Sequence, residues 1–174
     1  MTEPASERVT RTGIHLKIRP AGPEDEAILA DLFHHVSKED LRFRFLTEIR
    51  EVAPEQLRAM TARTATTESF IAVEAESGRP IGTAMLASDA GQERGEVAIS
   101  VDADFKHRGV GWTLLSFVSE QARERGLKVI ESIESRANYE AINVERDMGF
   151  AVEPCPGDST LVIVRKELQP AGGD

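Results

Sequence analysis

The sequence has 174 residues, a formal net charge of −9 and an isoelectric point of about 5.0. Hydrophobic residues make up 40% of the chain and charged residues 29%, which is ordinary for a globular domain. The acidic balance argues against nucleic-acid binding, which relies on basic surface. No apolar run is long enough to cross a membrane, so neither a nucleic acid nor a membrane is an expected partner.

The two ends of the chain are expected to lie outside the folded domain. Residues 1–13 lack the apolar stretch of a signal peptide and are predicted to form a disordered tail, as are residues 169–174. The domain is therefore predicted to span residues 14–168. The chain has one cysteine, Cys155, which leaves no internal disulfide and favours a reducing, cytoplasmic location.

Hydrophobic periodicity predicts the elements of the first half of the chain. They are three strands and two helices, at residues 15–19, 69–75 and 80–88 and at residues 23–36 and 54–62. Between the two helices, residues 37–46 mix aromatic side chains with arginines. This segment is interpreted either as a packed loop or as one wall of a substrate groove.

The second half alternates strands and helices. Its strands are predicted at residues 95–101, 127–132, 150–153 and 159–168, and its helices at residues 111–126 and 138–148. Strands and helices interspersed in this way predict a mixed α/β domain.

Residues 95–113 are the most informative stretch of the sequence. Val97, Ile99 and Val101 alternate with smaller side chains, which is the period of a strand. The smaller set carries one carboxylate, Glu96. The stretch therefore predicts a strand with one apolar face and one face that holds a single acid.

The loop between this strand and the following helix combines glycines with basic side chains. A helix N-terminus offers unpaired N–H groups and a positive dipole end. Gly109 and Gly111 allow an anion to approach the backbone closely. Lys106, His107 and Arg108 add positive charge beside them. The loop is therefore predicted to bind a diphosphate.

Two common phosphate-binding motifs do not fit this loop. The nucleotide-triphosphate motif GxxxxGK[ST] is absent, which argues against a kinase or NTPase. The dinucleotide motif GxGxxG would need a third glycine at Leu114. A glycine turn that only caps a helix, without a ligand, is the structural alternative.

Two motifs at this loop and near the C-terminus resemble the GCN5-related N-acetyltransferase (GNAT) superfamily. The acyl-CoA signature [RQ]xxGx[GA] of that family reads KHRGVG here, at residues 106–111. A second motif, close to NxxAxxLYExxGF, reads NYEAINVERDMGF at residues 138–150. The resemblance covers nearly all of residues 16–168.

The resemblance implies the fold and the chemistry. The implied fold is α/β (α+β), with a mixed, mostly antiparallel central sheet of six to seven strands flanked by about four helices. The implied reaction is transfer of an acetyl group from acetyl-CoA to an acceptor amine, without a metal. The implied cofactor-binding residues are Ile99, Val101, Lys106, His107, Arg108, Gly109, Val110, Gly111, Trp112, Thr113 and Asn138. Asn138 is also a good helix N-cap.

A narrower resemblance concerns the acceptor. Residues 39–46 (EDLRFRFL), 54–61 (PEQLRAMT) and 95–98 (GEVA) look like the acetyltransferase domain of bacterial protein lysine acetyltransferases that modify acyl-CoA synthetases. This resemblance implies a protein lysine as acceptor and Glu96 as general base, in a monomer or homodimer. The structural alternative for Glu96 is an ion pair, for instance with Arg94.

One residue departs from the family pattern. Glu145 stands where many members have a tyrosine that protonates the leaving thiolate, and Tyr139 is poorly placed to replace it. A thiol with a pKa of roughly 8.5 can leave without full protonation. The sequence therefore predicts an N-acetyltransferase that works without a tyrosine. A small-molecule amine acetyltransferase and a catalytically weak acyl-CoA-sensing domain are the alternatives.

Overall fold

A single sheet of eight strands forms the centre of the structure, a computed structural model that describes residues 4–170. The strands in chain order are β1 (Ser6–Val9), β2 (His15–Pro20), β3 (Thr67–Glu74), β4 (Pro80–Ser88), β5 (Arg94–Val101), β6 (Val129–Ser135), β7 (Ala151–Pro154) and β8 (Leu161–Glu167). Their spatial order is β1-β2-β3-β4-β5-β6-β8-β7. β5 and β6 run parallel and the other neighbours antiparallel, which confirms the predicted mixed, mostly antiparallel sheet.

Five α-helices cover the two faces of the sheet. They are α1 (Glu26–His34), α2 (Lys38–Phe45), α3 (Pro54–Thr61), α4 (Val110–Glu124) and α5 (Tyr139–Asp147). Buried residues of α1, α2 and α3 form one apolar cluster, and those of α4 and α5 form another. The neighbours Phe70 and Ile71 of β3 belong to different clusters, because side chains alternate across a strand. The sheet is thus packed on both faces.

The structure has one strand more than predicted, and that strand lies in the expected N-terminal tail. β1 pairs antiparallel with β2, from Ser6 opposite Ile18 to Val9 opposite His15. Its side chains are half-buried or exposed, and it pairs with β2 through backbone hydrogen bonds. The sequence of this strand therefore shows little of the hydrophobic alternation that predicts a strand. The expectation of a disordered tail therefore fails for residues 6–9. Residues 1–3 and 171–174 of the two predicted tails lie outside the described residues.

The structure also has one helix more than predicted. α2 occupies most of the segment interpreted as a loop or a groove wall. The Ser37 hydroxyl caps its start by accepting from the backbone N–H of Asp40 at 3.1 Å. Acidic residues lie in its first turn, and Arg42 and Arg44 in its last, which complements the helix dipole. Ser37, a favoured N-cap residue followed by acidic residues, was the signal in the sequence from which this helix could have been predicted.

No helix among residues 4–170 is both long and apolar enough to cross a membrane.

Candidate active site

A cleft opens where β5 and β6 diverge. The two parallel strands pair only from Arg94 opposite Val129 to Glu96 opposite Glu131. Beyond that point β6 continues along β8, and β5 along β4. Backbone groups of residues 97–101 that face β6 therefore have no strand partner there. The cleft that results has a volume of about 540 Å³.

The glycine loop forms one end of this cleft, at the start of α4. His107 and Gly109 have positive φ angles of 62° and 84°, so the backbone turns sharply there. Gly109 needs this conformation, but Gly111 lies inside the helix. A Cβ atom at Gly111 would meet nothing nearer than Val101, at 4.0 Å. The missing side chain at position 111 thus leaves open space over the helix N-terminus.

The N-terminal segment braces this loop. The Thr12 hydroxyl donates to the carbonyl oxygen of Arg108 at 2.7 Å. The Arg11 guanidinium stacks 4.1 Å from the ring centre of Trp112, and both residues line the cleft. Sequence reasoning missed Arg11 because it placed the residue in a tail without structure. No local pattern connects residue 11 with a loop about a hundred residues further along.

Lys106 connects the loop to two helices across the mouth of the cleft. Its ammonium lies 2.8 Å from the Asp40 carboxylate of α2 and 3.3 Å from the Glu140 carboxylate of α5. Partial burial lowers the pKa of Lys106, but the hydrogen bonds and charges of Asp40 and Glu140 outweigh it, and the net pKa is raised. Lys106 is therefore protonated, and its ion pairs with the two acids connect the loop to α2 and α5.

The structure brings most of the predicted site residues together. Those that line the cleft are Glu96, Ile99, Val101, Lys106, His107, Gly109, Val110, Gly111, Trp112 and Asn138. Arg108 and Thr113 are not among the residues that line the cleft. The Arg108 guanidinium lies 5.3 Å from the Phe105 ring centre, and the Thr113 hydroxyl donates to the Gly109 carbonyl at 2.8 Å.

Glu96 lies where the strands begin to diverge, and its side chain is exposed to the cleft. The Arg94 guanidinium contacts Glu131 at 3.3 Å, so this arginine is engaged across the strand pair. Glu96 and Val101 are five positions apart in the sequence, which is roughly 17 Å along a strand. The carboxylate and the glycine loop therefore mark opposite ends of one groove.

α2 supplies a wall of the cleft, through Phe43, Arg44 and the following Leu46. The Arg44 guanidinium stacks on Phe45 at 4.9 Å from its ring centre. Burial lowers the pKa of Arg44, while the nearby carboxylates of Glu96 and Glu134 act in the opposite direction. Of the two interpretations of this segment, the groove wall is therefore the one that the structure supports.

Two carboxyl groups meet on the other wall of the cleft. Glu145 of α5 is only 6% exposed and forms a hydrogen bond with the Glu134 carboxyl of β6. The Ser132 hydroxyl lies 2.6 Å from Glu134 Oε1 and 3.5 Å from Glu145 Oε2. Burial, followed by the charge of Glu134, raises the pKa of Glu145 to about 10. Burial and the contact between the two carboxyl groups therefore favour a pair that holds one proton at pH 7.

Asn138 connects this pair with the start of α5. Its side-chain oxygen accepts from the backbone N–H of Ala141 at 3.4 Å, which confirms the predicted N-cap. Its side-chain nitrogen donates to Glu134 at 3.2 Å. The cap thus holds the Glu134 carboxylate against the helix.

Within residues 4–170, no group of three or more histidine, cysteine, aspartate or glutamate side chains could hold a metal ion.

Comparison with known proteins identifies the family. Residues 32–150, more than half of the chain, match the Acetyltransferase (GNAT) family. The acetyltransferase PA5475 of Pseudomonas aeruginosa is 30% identical over 159 residues, covering 90% of this chain and 86% of that protein. The chain belongs to the GNAT acetyltransferase family.

Solved structures share the fold. The GNAT domain of S. lividans PAT is 24% identical, with a TM-score of 0.86, and the alignment covers 94% of this chain and 97% of that one. The structure of yncA from Salmonella typhimurium, solved with its cofactor acetyl-CoA, is 21% identical, with a TM-score of 0.71 over 91% and 96% of the two chains. At these identities the likeness concerns the fold alone.

The retained proton of Glu145 has a consequence for stability. The unfolded carboxyl loses its proton near pH 4.5 and the folded one near pH 10. Between these values the unfolded state binds fewer protons, so stability decreases as pH rises. Glu145→Gln removes this dependence. We expect the variant to be more stable by on the order of 3 kcal/mol at pH 7, or several degrees in Tm.

Thermal melts from pH 5 to pH 9 check this expectation. The gain in Tm of Glu145→Gln over the wild type should grow steadily with pH. Glu124→Gln, a change at an exposed glutamate of α4, is the matched control and should follow the wild type at every pH. A Tm difference that stays constant across this range would mean that Glu145 is ionised in the folded protein.

Proposed function

We propose that this chain is an acetyl-CoA-dependent N-acetyltransferase whose acceptor is an amine, most directly a protein lysine side chain, with Glu96 as general base. The observation that carries the proposal is the groove itself. An unpaired strand edge connects a glycine-opened helix N-terminus to a solvent-accessible carboxylate. The proposal includes a cytoplasmic setting, which the single Cys155 permits.

The groove suits acetyl-CoA in shape and polarity. The N-terminus of α4, open above Gly111, can hold the diphosphate with backbone N–H groups. The free edge of β5 offers backbone donors and acceptors to the two amides of an extended pantetheine arm. N–H groups near Ile99 and Val101 can also stabilise the oxyanion that forms at the thioester. The solved relative that contains acetyl-CoA supports the same ligand here.

A general base matters for an amine acceptor. A lysine amine has a pKa of about 10.4, so fewer than about one in a thousand is neutral at pH 7. A positioned base typically increases the rate by roughly 10²–10⁴-fold. Glu96 is exposed at the end of the groove opposite the diphosphate loop, where an acceptor can approach the thioester. It is therefore the group best placed to take the proton.

The charge of the cleft favours a cationic acceptor. Glu96 and Glu134 line it, whereas Asp40 and Glu140, which also line it, pair with Lys106. The carboxylates that Lys106 does not occupy attract an ammonium group towards the thioester. A lysine on a folded protein surface carries this charge on a long stem that can reach into a groove.

Substitution of Gly111 tests the diphosphate site. Gly111→Glu places a carboxylate over the start of α4, where it repels an anion and fills the open space. We expect the affinity for CoA to fall by at least ~10-fold, which corresponds to about 1.4 kcal/mol. Isothermal titration calorimetry with CoA measures the effect.

The control for this experiment is Gly91→Glu. Gly91 is exposed in the turn before β5, and a Cβ atom there meets nothing within 4 Å. The control adds the same charge away from the cleft and should bind CoA like the wild type. Unchanged CoA affinity in folded Gly111→Glu protein would exclude this loop as the diphosphate site.

Substitution of Glu96 tests the general base. Glu96→Gln keeps the shape of the side chain but cannot accept a proton. We expect kcat at pH 7 to fall by ~10²-fold or more, with CoA affinity nearly unchanged. The loss should shrink as pH rises, because more of the acceptor amine is already neutral. The measurement is a pH–rate profile from pH 6 to pH 10.

The matched control for the base is Glu93→Gln. Glu93 lies just before β5 and pairs with Lys128 at 3.0 Å on the surface. A wild-type kcat in Glu96→Gln at pH 7 would show that Glu96 is structural. A loss of the same size at every pH would instead indicate an electrostatic or positioning role.

A panel of acceptors identifies the amine class. Release of CoA from acetyl-CoA is followed with lysine-containing peptides, a folded acyl-CoA synthetase and spermidine. Preference for the folded protein would support a protein lysine. Preference for spermidine would identify a small-molecule acetyltransferase. CoA binding without turnover on any acceptor would contradict the proposed enzyme and favour an acyl-CoA-sensing domain.

A further inference from the structure

The Glu134–Glu145 pair is a built feature of the cleft that the proposed base chemistry does not use. Its two carboxyl groups come from different elements, β6 and α5, and share a hydrogen bond. Ser132 and Asn138 donate to Glu134, so its orientation is fixed from two sides. Two carboxylates in contact within a buried site cannot both be ionised at low cost. The pair therefore retains one proton.

No cation neutralises the pair directly. Within residues 4–170, no lysine or arginine forms an ion pair within 4.0 Å of Glu134 or Glu145. From α2, the half-buried Arg44 acts on Glu134 over a longer distance and acts on Glu96 as well. Lys106 at the mouth is occupied by Asp40 and Glu140. Because no cation in the described part of the chain contacts the two carboxyl groups, a shared proton is what reduces the negative charge of the pair.

The pair lines the cleft that holds the proposed base. Ser132, Glu134 and Glu145 line the same cleft as Glu96 and the free edge of β5. They lie on the wall opposite that edge, on β6 and α5. A pantetheine arm bound along the edge of β5 would therefore have the carboxyl pair beside it. The thioester end of the arm would point towards Glu96.

We propose that the Glu134–Glu145 pair is the proton donor to the sulfur of the departing CoA. This inference rests on the proposed function. The lone pair of the acceptor nitrogen forms a bond to the acetyl carbon, and the carbonyl π electrons move to oxygen. Collapse of this adduct breaks the carbon–sulfur bond, and its electron pair leaves on sulfur. The pair gives sulfur its proton, and Glu96 takes the proton from nitrogen.

The cycle then closes through solvent. Glu96 releases its proton to water, and the pair regains one. The net reaction converts an amine and a thioester to an amide and a thiol, with no proton gained or lost. Tyr139 has no part in these steps, because its side chain is 72% exposed and it does not line the cleft.

The pH dependence of kcat tests this role. The wild type, assayed with acetyl-CoA and the best acceptor of the panel, should lose kcat as pH approaches 10, where the pair ionises. Glu145→Gln should lower kcat at pH 8 by ~10–10²-fold, at the lower end of general-acid effects, and should lack the alkaline decline. Its CoA affinity should stay within a few-fold of wild type. Tyr139→Phe is the control and should keep both the rate and the decline.

A second measurement tests the proton itself and needs no acceptor. Infrared spectroscopy of the free protein at pH 8 should show the C=O stretch of a protonated carboxylic acid, and Glu145→Gln should lose it. Absence of this band in the wild type would overturn the inference. So would a Glu145→Gln enzyme with wild-type kcat and the wild-type alkaline decline.

The two readouts separate this inference from the proposed function. If no acceptor is acetylated, the proposed function fails, while the infrared band still reports whether the pair holds its proton. If acetylation depends on Glu96 but not on Glu145, the proposed function stands and the proton donor is wrong. The wild-type profile and the wild-type spectrum also keep the inference testable should Glu145→Gln fail to fold.

Discussion

The divergence of β5 from β6 is the constraint on which the rest of the structure depends. Three residue pairs hold the parallel strands together, and after Glu96 they separate. A sheet that stayed paired would bury the backbone groups of residues 97–101 in hydrogen bonds. Divergence leaves them available and opens a cleft that α2, α4 and α5 line. The order β5–α4–β6 places the start of α4 at the end of the opened edge.

Acidic groups dominate the chemistry of this cleft. Glu96, Glu134 and Glu145 face it, and Arg44 acts on the first two from α2. Each acid has a different environment: Glu96 is exposed, whereas Glu145 is buried against another carboxyl. Environments that separate the protonation states of neighbouring acids allow one to accept a proton while another keeps one. In the proposed mechanism, residues of the same type thereby carry opposite proton-transfer roles.

Local patterns in the sequence predicted what short stretches determine. The alternation of large and small side chains predicted β5, and the glycines predicted the loop before α4. Asn138 was recognised as the cap of α5. The pattern could not reveal contacts between distant segments. Arg11 reaches Trp112 only through the pairing of β1 with β2, and Glu145 meets Glu134 only after α5 packs on β6. The family motif marked position 145 as unusual, yet its protonation depends on burial, which no spacing encodes.

The left-handed backbone at His107 and Gly109, held from outside by the Thr12 hydroxyl, fixes the shape of the loop before any ligand arrives. An incoming diphosphate then need not order this segment, so little conformational entropy is lost on association. Discrimination between ligands must in that case come from how well each ligand matches the shape of this loop, since a preformed loop does not adjust to a ligand that fits poorly. Under the proposed function, recognition at this end of the groove therefore depends on shape, whereas the acidic end selects by charge.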